Sequence, residues 1–325
     1  MKKSLLLLLA VILFSCKTEK EIQTINYKGF VFGTTYQITI LHKQKLDFQK
    51  SIDSLFFLVN KSLSTYIPTS DISKINAGDS TIVVDELFAE VFKKSKQIHR
   101  ETDGFFDPTV GNLVNAWGFG PSESKKELDS VEVQKMMQYV GLEKVQIENG
   151  KIKKQFLETY LDFNSIAKGF GIDVVGRFLE KKNVHNYLIE IGGEIRAKGK
   201  NKNGAFWKVA IEKPNTDGTQ SFQTTIQLEN ESMATSGNYR KYRITSSGKK
   251  YVHTVNPKTG FATESNLLSA SVIANSDCAD VDAYATAFMA MGFDRTKKLL
   301  ETNKDLKVVL MFLDKKNTIK EFKNF

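Results

Sequence analysis

Apolar residues recur every three or four positions in several parts of this 325-residue chain. Between Phe48 and Leu63 this spacing predicts an amphipathic helix over residues 48–63. The same spacing, together with start and stop signals at the ends, predicts further helices over residues 85–100, 130–140, 165–181, 280–291 and 294–303. The helix over 165–181 is expected to begin at a cap formed by Asn164 and Ser165.

Short runs of alternating polarity predict that the second half of the chain is rich in strands. These runs cover residues 186–191, 205–212, 222–228, 239–245, 250–255 and 268–274, and a closing hairpin is predicted over 306–322. The pair Asn149-Gly150 between apolar residues predicts another hairpin. Because the strands cluster and do not alternate regularly with helices, we predict an α+β fold. It is expected to be a single compact domain with a mainly antiparallel sheet flanked by helices.

The first sixteen residues differ from the rest of the chain. Two lysines precede an apolar run from Leu5 to Phe14, which predicts a secretory signal too short to span a bilayer as a mature helix. Leu13–Cys16 resembles a bacterial lipobox, which predicts that Cys16 is lipidated. Residues 17–26 are mostly polar and are expected to be a tether, with the folded domain over residues 27–325. We therefore expect an exported lipoprotein, held to the membrane by the lipid on Cys16 and facing the periplasm or the cell exterior.

Charge narrows the classes of partner. The net charge is +9, but 40 of the 46 basic residues are lysines that are scattered along the chain. Arginines are few and no basic stripe with interleaved aromatic residues is present, so nucleic acid is not an expected partner. A solvated lysine surface accounts for the charge, and attraction to anionic lipid or to a phosphorylated ligand is the alternative.

The segment from Thr102 to Gly120 carries an unusual combination of residues. It holds four glycines, one proline, two carboxylates and Trp117 within nineteen positions. Glycine allows a close approach of backbone to a ligand, and tryptophan offers a flat face for stacking. These residues suit a pocket for a large planar anion, and they equally suit a loop that only packs.

Two places near predicted helices could bind a cation or a phosphate. Asp282 and Thr286 lie four residues apart and hence on one helix face, where their oxygens could hold a hard cation such as Mg²⁺. By spacing alone, an acidic cluster that favours the helix dipole is the better explanation of these residues. Asp162 and Lys168 flank the start of the helix over 165–181, where a lysine and a helix N-terminus favour phosphate. The alternative there is an ordinary cap and a solvated lysine.

His253 is the histidine with the most suggestive setting. It precedes a turn over Asn256–Gly260, and a strand over 250–255 would place it on one face with Tyr251 and Val255. A base that titrates near neutral pH is what deprotonation of a hydroxyl requires. A structural role in the strand is the alternative.

Several motifs along the chain occur together and in a fixed order. They are Gly33–Thr35, Leu63–Tyr66, the segment 102–120, residues 162–171, 235–240, 253–260 and 277–286. This ordered set strongly resembles the ApbE family of FAD:protein FMN transferases, from about Phe30 to Gly292. The resemblance assigns the catalytic domain to residues 27–325.

The resemblance also implies roles for individual residues. Positions that would contact FAD are Phe32, Tyr66, Ala116, Trp117, Gly118, Asp162, Lys168 and Val255, with Tyr66 and Trp117 as the stacking candidates. Positions that would hold Mg²⁺ are Ser165, Asp282, Ala285 and Thr286. Position 285 is alanine where some members have aspartate, so it can offer only a backbone oxygen. His253 corresponds to the catalytic candidate of the family.

The implied reaction is an Mg²⁺-dependent transfer of FMN from FAD to a threonine hydroxyl of a target protein, with a phosphoester bond formed and AMP released. The partners would be FAD and an acceptor protein, of which a membrane redox-complex subunit is one candidate. An FAD pyrophosphatase, in which water replaces the threonine, is a second hypothesis. A lipoprotein that binds flavin without catalysis is a third.

Overall fold

The structure is a computed structural model that describes residues 21–121, 127–212, 222–238, 242–244, 248, 250–262 and 265–325. The predicted signal sequence and Cys16 lie outside these residues. The helices are α1 (Gln49–Leu63), α2 (Asp71–Asn76), α3 (Glu86–Glu101), α4 (Gly111–Ala116), α5 (Ser130–Met137), α6 (Ala167–Lys181), α7 (Cys278–Met291) and α8 (Phe293–Leu300). None of the helices in this part of the chain combines the length and apolar character needed to cross a bilayer.

The strands form one large sheet and three small hairpins. They are β1 (Gln23–Val31), β2 (Thr34–His42), β3 (Val145–Glu148), β4 (Lys151–Lys154), β5 (Tyr187–Ile191), β6 (Glu194–Lys198), β7 (Trp207–Glu212), β8 (Phe222–Leu228), β9 (Ser232–Gly237), β10 (Tyr242–Ile244), β11 (Lys250–Val252), β12 (Leu267–Ala274), β13 (Lys307–Leu313) and β14 (Ile319–Lys323). The large sheet has the order β1-β2-β5-β6-β9-β12-β13-β14, and its strand pairs are antiparallel. The predicted α+β fold with a mainly antiparallel sheet is confirmed.

The two faces of the large sheet are covered differently. Side chains alternate along each strand, so that Val272 of β12 joins the main core under the helices while its neighbour Ile273 joins a smaller core on the other face. The β7–β8 hairpin covers that smaller core, and Trp207 is buried there. On the main face α6 and α7 pack on the sheet, and α1 and α3 pack on α6 and α7. Because α7 is enclosed on both sides, most of its residues are buried and apolar.

Local signals explain several boundaries. The Asp85 carboxylate accepts a hydrogen bond from the Phe88 amide at 2.9 Å and caps α3. Asp129 and Glu132 form a capping box at the start of α5. Asn149 and Gly150 both have positive φ, which produces the tight turn of the predicted β3–β4 hairpin.

The first strand was not predicted, and it corrects the boundary of the tether. β1 begins at Gln23, so residues 23–26 pair with β2 and do not belong to the tether expected over 17–26. The hairpin was missed because its two turn residues are Phe32 and Gly33, and phenylalanine is not a typical residue for positive φ.

Two predicted boundaries near the motifs are also wrong. α6 begins at Ala167 and not at 165, and its N-cap residue Ile166 makes no side-chain cap hydrogen bond. β11 ends at Val252 and not at 255, so His253 lies in the bend after the strand. The amide of Val252 bonds to the Ala262 carbonyl at 2.8 Å, and beyond it the chain turns into the predicted loop over Asn256–Gly260.

Candidate active site

A cavity of about 840 Å³ opens between the helices and the β1–β2 turn. Its walls come from the end of α1, the loop before α6, the start of β6, the end of β9, the segment after β11 and one face of α7. Most of the predicted site residues line it: Phe32, Tyr66, Asp162, Ser165, Lys168, His253, Val255, Asp282 and Thr286. The fold therefore brings together, in one cavity, residues that are as far apart in the chain as Phe32 and Thr286.

Phe32 enters the cavity wall from a strained turn. Its φ is +50°, a region that bulky residues rarely adopt, and Gly33 follows with φ +75°. Val31 pairs with Thr34 across the turn, so the hairpin fixes both turn residues. The ring of Phe32 packs edge-on against Phe56 at a centroid distance of 5.6 Å. Such strain costs roughly 1–3 kcal/mol and persists where the surroundings impose it.

The helices α6 and α7 cap each other at their N-termini. Asp282 of α7 accepts a hydrogen bond from the Gly169 amide in the first turn of α6, at 3.1 Å. In return, Asp173 of α6 accepts from the amides of Cys278 and Ala279 in the first turn of α7, at 2.8 and 2.9 Å. Neither helix has a side-chain cap from its own N-cap residue. The two Asp residues therefore satisfy amides that the helices leave unpaired, and they fix the relative position of the two helix ends.

Asp173 is held in place by an ion-pair network behind the cavity. It is fully buried and bonds to Arg196 at 2.5 Å, and Arg196 also bonds to Asp277 at 2.8 Å. Arg177 and Lys94 reach the same Asp277 at 2.7 and 3.0 Å. Although burial alone would raise the pKa of Asp277, these cations lower it to about 2. The start of α7 is thereby anchored to α6, α3 and the sheet.

Lys168, Glu194 and Asp282 form a charged group on the cavity wall, in which the two carboxylates are buried and the lysine is partly exposed. The ammonium of Lys168 forms a very short ion pair with Oε1 of Glu194, whereas Oε2 of Glu194 has no hydrogen-bond partner among the described residues. Burial, reinforced by the charge of Asp282, raises the pKa of Glu194 to about 7. Burial also raises the pKa of Asp282. For Lys168 burial acts in the opposite sense, but the two carboxylates outweigh it and raise its pKa, so it carries its charge.

Trp117 does not occupy the position expected of it. The ring is fully buried and packs on Tyr251 at a centroid distance of 4.7 Å, so in this structure it is not exposed for the stacking role predicted for it. Its Nε1 donates to the carbonyl of Gly260 at 2.8 Å. Trp117, Ala116 and Gly118 are absent from the cavity lining, but Trp117 shares a small core with Val255, which does line it. The tryptophan thus supports the cavity wall from behind.

The other predicted positions differ in how they meet the cavity. Tyr66 is half-exposed on the lining and remains the stacking candidate. Burial and the nearby Asp162 raise the pKa of Tyr66, so its hydroxyl stays protonated. His253 is partly exposed on the lining, as a general base must be. Ala285 is fully buried and lies off the cavity, so its methyl group contributes nothing there.

Comparison with known proteins identifies the family of the chain. The model of the ApbE family matches residues 32–310. The chain belongs to the ApbE family. It is 35% identical over 308 residues to the FAD:protein FMN transferase of Haemophilus influenzae, an alignment that covers 91% of this chain and 88% of that relative. It is also 35% identical over 325 residues to the FAD:protein FMN transferase of Vibrio cholerae, covering 98% and 96% of the two chains.

Solved structures of ApbE proteins share the whole fold. The flavin transferase ApbE from Vibrio cholerae superposes with a TM-score of 0.83 at 32% identity and covers 94% of this chain and 98% of that one. The apo flavinyl transferase ApbE of Pseudomonas stutzeri gives a TM-score of 0.82 at 26% identity, covering 93% and 95%. The single α+β domain described above is therefore the ApbE fold.

The oxygen atoms at this ApbE-family site suit a hard cation. Asp282 supplies a buried carboxylate, Ser165 and Thr286 supply hydroxyls, and Thr286 lies 3.4 Å from the hydroxyl of Ser236. Glu194 is a second buried carboxylate in the cavity wall, and its Oε1 is paired with Lys168. Within the described ranges no group of three or more His, Cys, Asp or Glu side chains is placed to bind a metal. Besides the Asp282 carboxylate, a cation here would therefore rely on hydroxyl, backbone and water oxygens, which Mg²⁺ accepts.

Glu194 and Asp173 are site residues that sequence reasoning missed. Glu194 follows Gly192-Gly193 directly, and a carboxylate after two glycines at a strand junction was a signal that could have been noticed. Asp173 lies within the predicted helix among apolar neighbours, and nothing in the sequence indicates that it caps another helix.

Proposed function

We propose that this protein transfers FMN from FAD to a threonine of an acceptor protein. The observation that carries the proposal is the single cavity in which His253 and the Lys168–Glu194–Asp282 group occur together. The named relatives are FAD:protein FMN transferases, and the family's motifs line this same cavity.

The proposed reaction is a displacement at phosphorus. The threonine oxygen bonds to the phosphorus on the riboflavin side of FAD, and the bond from that phosphorus to the bridging oxygen breaks. The bridging oxygen leaves with AMP, and the hydroxyl proton passes to Nδ1 or Nε2 of His253. The product is an FMN phosphoester on the acceptor. The chain need not supply a nucleophile, because the acceptor does.

The residues of the cavity have separate tasks in this proposal. Lys168 and the first turn of α6 attract the diphosphate, and Tyr66 and Phe32 contact the rings of FAD. Asp282, Thr286 and Ser165 would hold Mg²⁺, and the backbone oxygen of Ala285 is the fourth ligand that the family resemblance implies. The cation supplies neutralisation of the charge that develops on the diphosphate. His253 accepts the proton from the acceptor hydroxyl.

The proposal extends to the place where the enzyme works. We infer that the protein is exported and anchored by lipid on Cys16, with a tether over residues 17–22. The support is the order of a basic start, an apolar run and Cys16 in the sequence. An anchored enzyme meets acceptors at the membrane surface, which makes a membrane redox-complex subunit a suitable partner.

Products distinguish the proposed reaction from its alternatives. The full chain is incubated with FAD, Mg²⁺ and an acceptor protein of the Haemophilus influenzae relative. Transfer predicts a fluorescent, flavin-bearing acceptor band after denaturation and one AMP per modified acceptor. Free FMN and AMP with an unmodified acceptor would indicate a pyrophosphatase, and unchanged FAD would indicate a protein that only binds flavin.

A further inference from the structure

The Lys168–Glu194–Asp282 group has one cation for two buried carboxylates. The charges of Lys168 and Asp282 influence each other, but the ion pair itself is made with Glu194. Among the hydrogen bonds described, Asp282 accepts one, from the backbone amide of Gly169. If Lys168 pairs with Glu194, the negative charge of Asp282 is not neutralised by an ion pair, whereas pairing with Asp282 would neutralise it.

We propose that Glu194 is a positioning residue that keeps Lys168 away from Asp282, so that Asp282 remains free to bind a divalent cation. Two observations support it. Glu194 is almost completely buried, and its Oε1 forms an ion pair with Lys168. The other oxygen has no partner among the described residues, so the cluster is incomplete without a further positive or hydrogen-bonding group.

The backbone explains how Glu194 holds this position. It is the first residue of β6 and pairs with Ile191 of β5, directly after the turn at Gly192 and Gly193, both of which have positive φ. Lys168 lies in the first turn of α6, next to Gly169, whose amide donates a hydrogen bond to Asp282. The two carboxylates are thus held on different elements, β6 and α7, and the charges of both act on Lys168.

The inference rests on the proposed cation site but not on the transfer reaction. Its test is therefore the binding of Mn²⁺ to the full chain without FAD. The binding is measured through the electron paramagnetic resonance signal of the Mn²⁺ that remains free. The variants are Glu194→Gln, Lys168→Met and the double variant, and melting curves verify that each is folded. In Glu194→Gln the lysine loses its partner and moves to Asp282.

The double-mutant cycle separates positioning from other roles. We expect Glu194→Gln alone to weaken Mn²⁺ binding by roughly tenfold, a coupling of the size seen within one ion-pair network. In the Lys168→Met background, the same change should alter binding by less than about twofold, because no lysine remains to be displaced. Equal weakening in both backgrounds would show that Glu194 ligates the cation or only supports the fold, and it would overturn the proposal.

Glu194→Asp provides a second test that retains the charge. Its shorter side chain keeps a carboxylate for Lys168, so Mn²⁺ binding should lie closer to that of the parent than to that of Glu194→Gln. Binding as weak as in Glu194→Gln would contradict the proposal. FMN transfer can fail for reasons outside this cluster, but such a failure would leave the Mn²⁺ result unchanged, so the two ideas are tested separately.

Discussion

Gly169 lies where α6 and α7 come closest, and Gly169→Ala tests whether their spacing controls the site. A Cβ atom at this position would lie 2.6 Å from the carbonyl carbon of Cys278 and 2.7 Å from the amide nitrogen of Ala279, and closer still to the Cys278 oxygen. These are backbone atoms of the first turn of α7, so no side chain can move aside. Ordinary contact begins at 3.4 Å, so the two helix ends must separate by about 1 Å.

The expected effect on stability is small compared with the effect on function. Alanine in place of glycine within a helix stabilises by about 1 kcal/mol. Overpacking costs about 1–3 kcal/mol, so the net change in the free energy of unfolding should not exceed about 2 kcal/mol. A displacement of about 1 Å at a catalytic centre, however, can lower the rate by roughly 10²-fold. The same displacement breaks the hydrogen bond that the Gly169 amide donates to Asp282.

The assay compares thermal unfolding, FAD binding by flavin fluorescence in the presence of Mg²⁺, and FMN transfer. Gly176→Ala on the same helix is the matched control, because the three atoms nearest to its Cβ would be side-chain atoms of Arg196 and Tyr187, all at 3.1 Å. We expect Gly169→Ala to lose about 10²-fold in transfer and the control to lose little. An FMN-transfer rate of Gly169→Ala equal to that of the parent would contradict this explanation. So would a loss of rate no larger than the unfolded fraction of the variant.

Three further changes test other parts of the account. His253→Asn should leave FAD affinity near that of the parent and lower transfer by roughly 10²–10⁴-fold, the usual contribution of a general base, so a parallel loss of binding would reassign His253 to a ligand contact. Cys16→Ser should move the protein from the membrane to the soluble fraction while transfer by the purified chain persists, and membrane association of the variant would show that lysines and not lipid attach it. Asp277 has a pKa of about 2 in the folded protein against an ordinary 3.8, so it stabilises the fold above pH 3.8 and loses that effect as the pH falls towards 2. The shift corresponds to about 2 kcal/mol of folding stability. In urea unfolding, Asp277→Asn should therefore reduce the difference in stability between pH 7 and acid. An unchanged pH dependence would show that another group is responsible.

The sequence was sufficient for the fold class and for the motifs that line the cavity. Helical spacing predicted α1 and α3 closely, and Asn149-Gly150 predicted the β3–β4 turn, because these signals act over a few neighbouring residues. The β1–β2 hairpin was missed because the turn at Phe32 is strained, and local preference argues against such a turn. Strain of this kind is maintained by tertiary packing, which a local pattern does not contain.

Contacts between distant elements explain the remaining errors at the site. The start of α6 was placed at Asn164 and Ser165 because both are good caps, but the cap comes from Asp282, more than a hundred residues away. Trp117 was expected to stack on a ligand because it lies among glycines, yet Tyr251 covers its ring. Glu194 gained its importance only when β6 brought it to Lys168. In each case the deciding partner lies on another element of the fold.

The mass of an acceptor protein after incubation with the full chain, FAD and Mg²⁺ shows whether the chain transfers FMN, with Asp282→Ala as the matched control. The parent should add the mass of FMN less one water to a threonine and release one AMP for each acceptor modified. Asp282→Ala, although folded by its melting curve, should add nothing. An unmodified acceptor beside free FMN, or full modification by Asp282→Ala, would contradict the account.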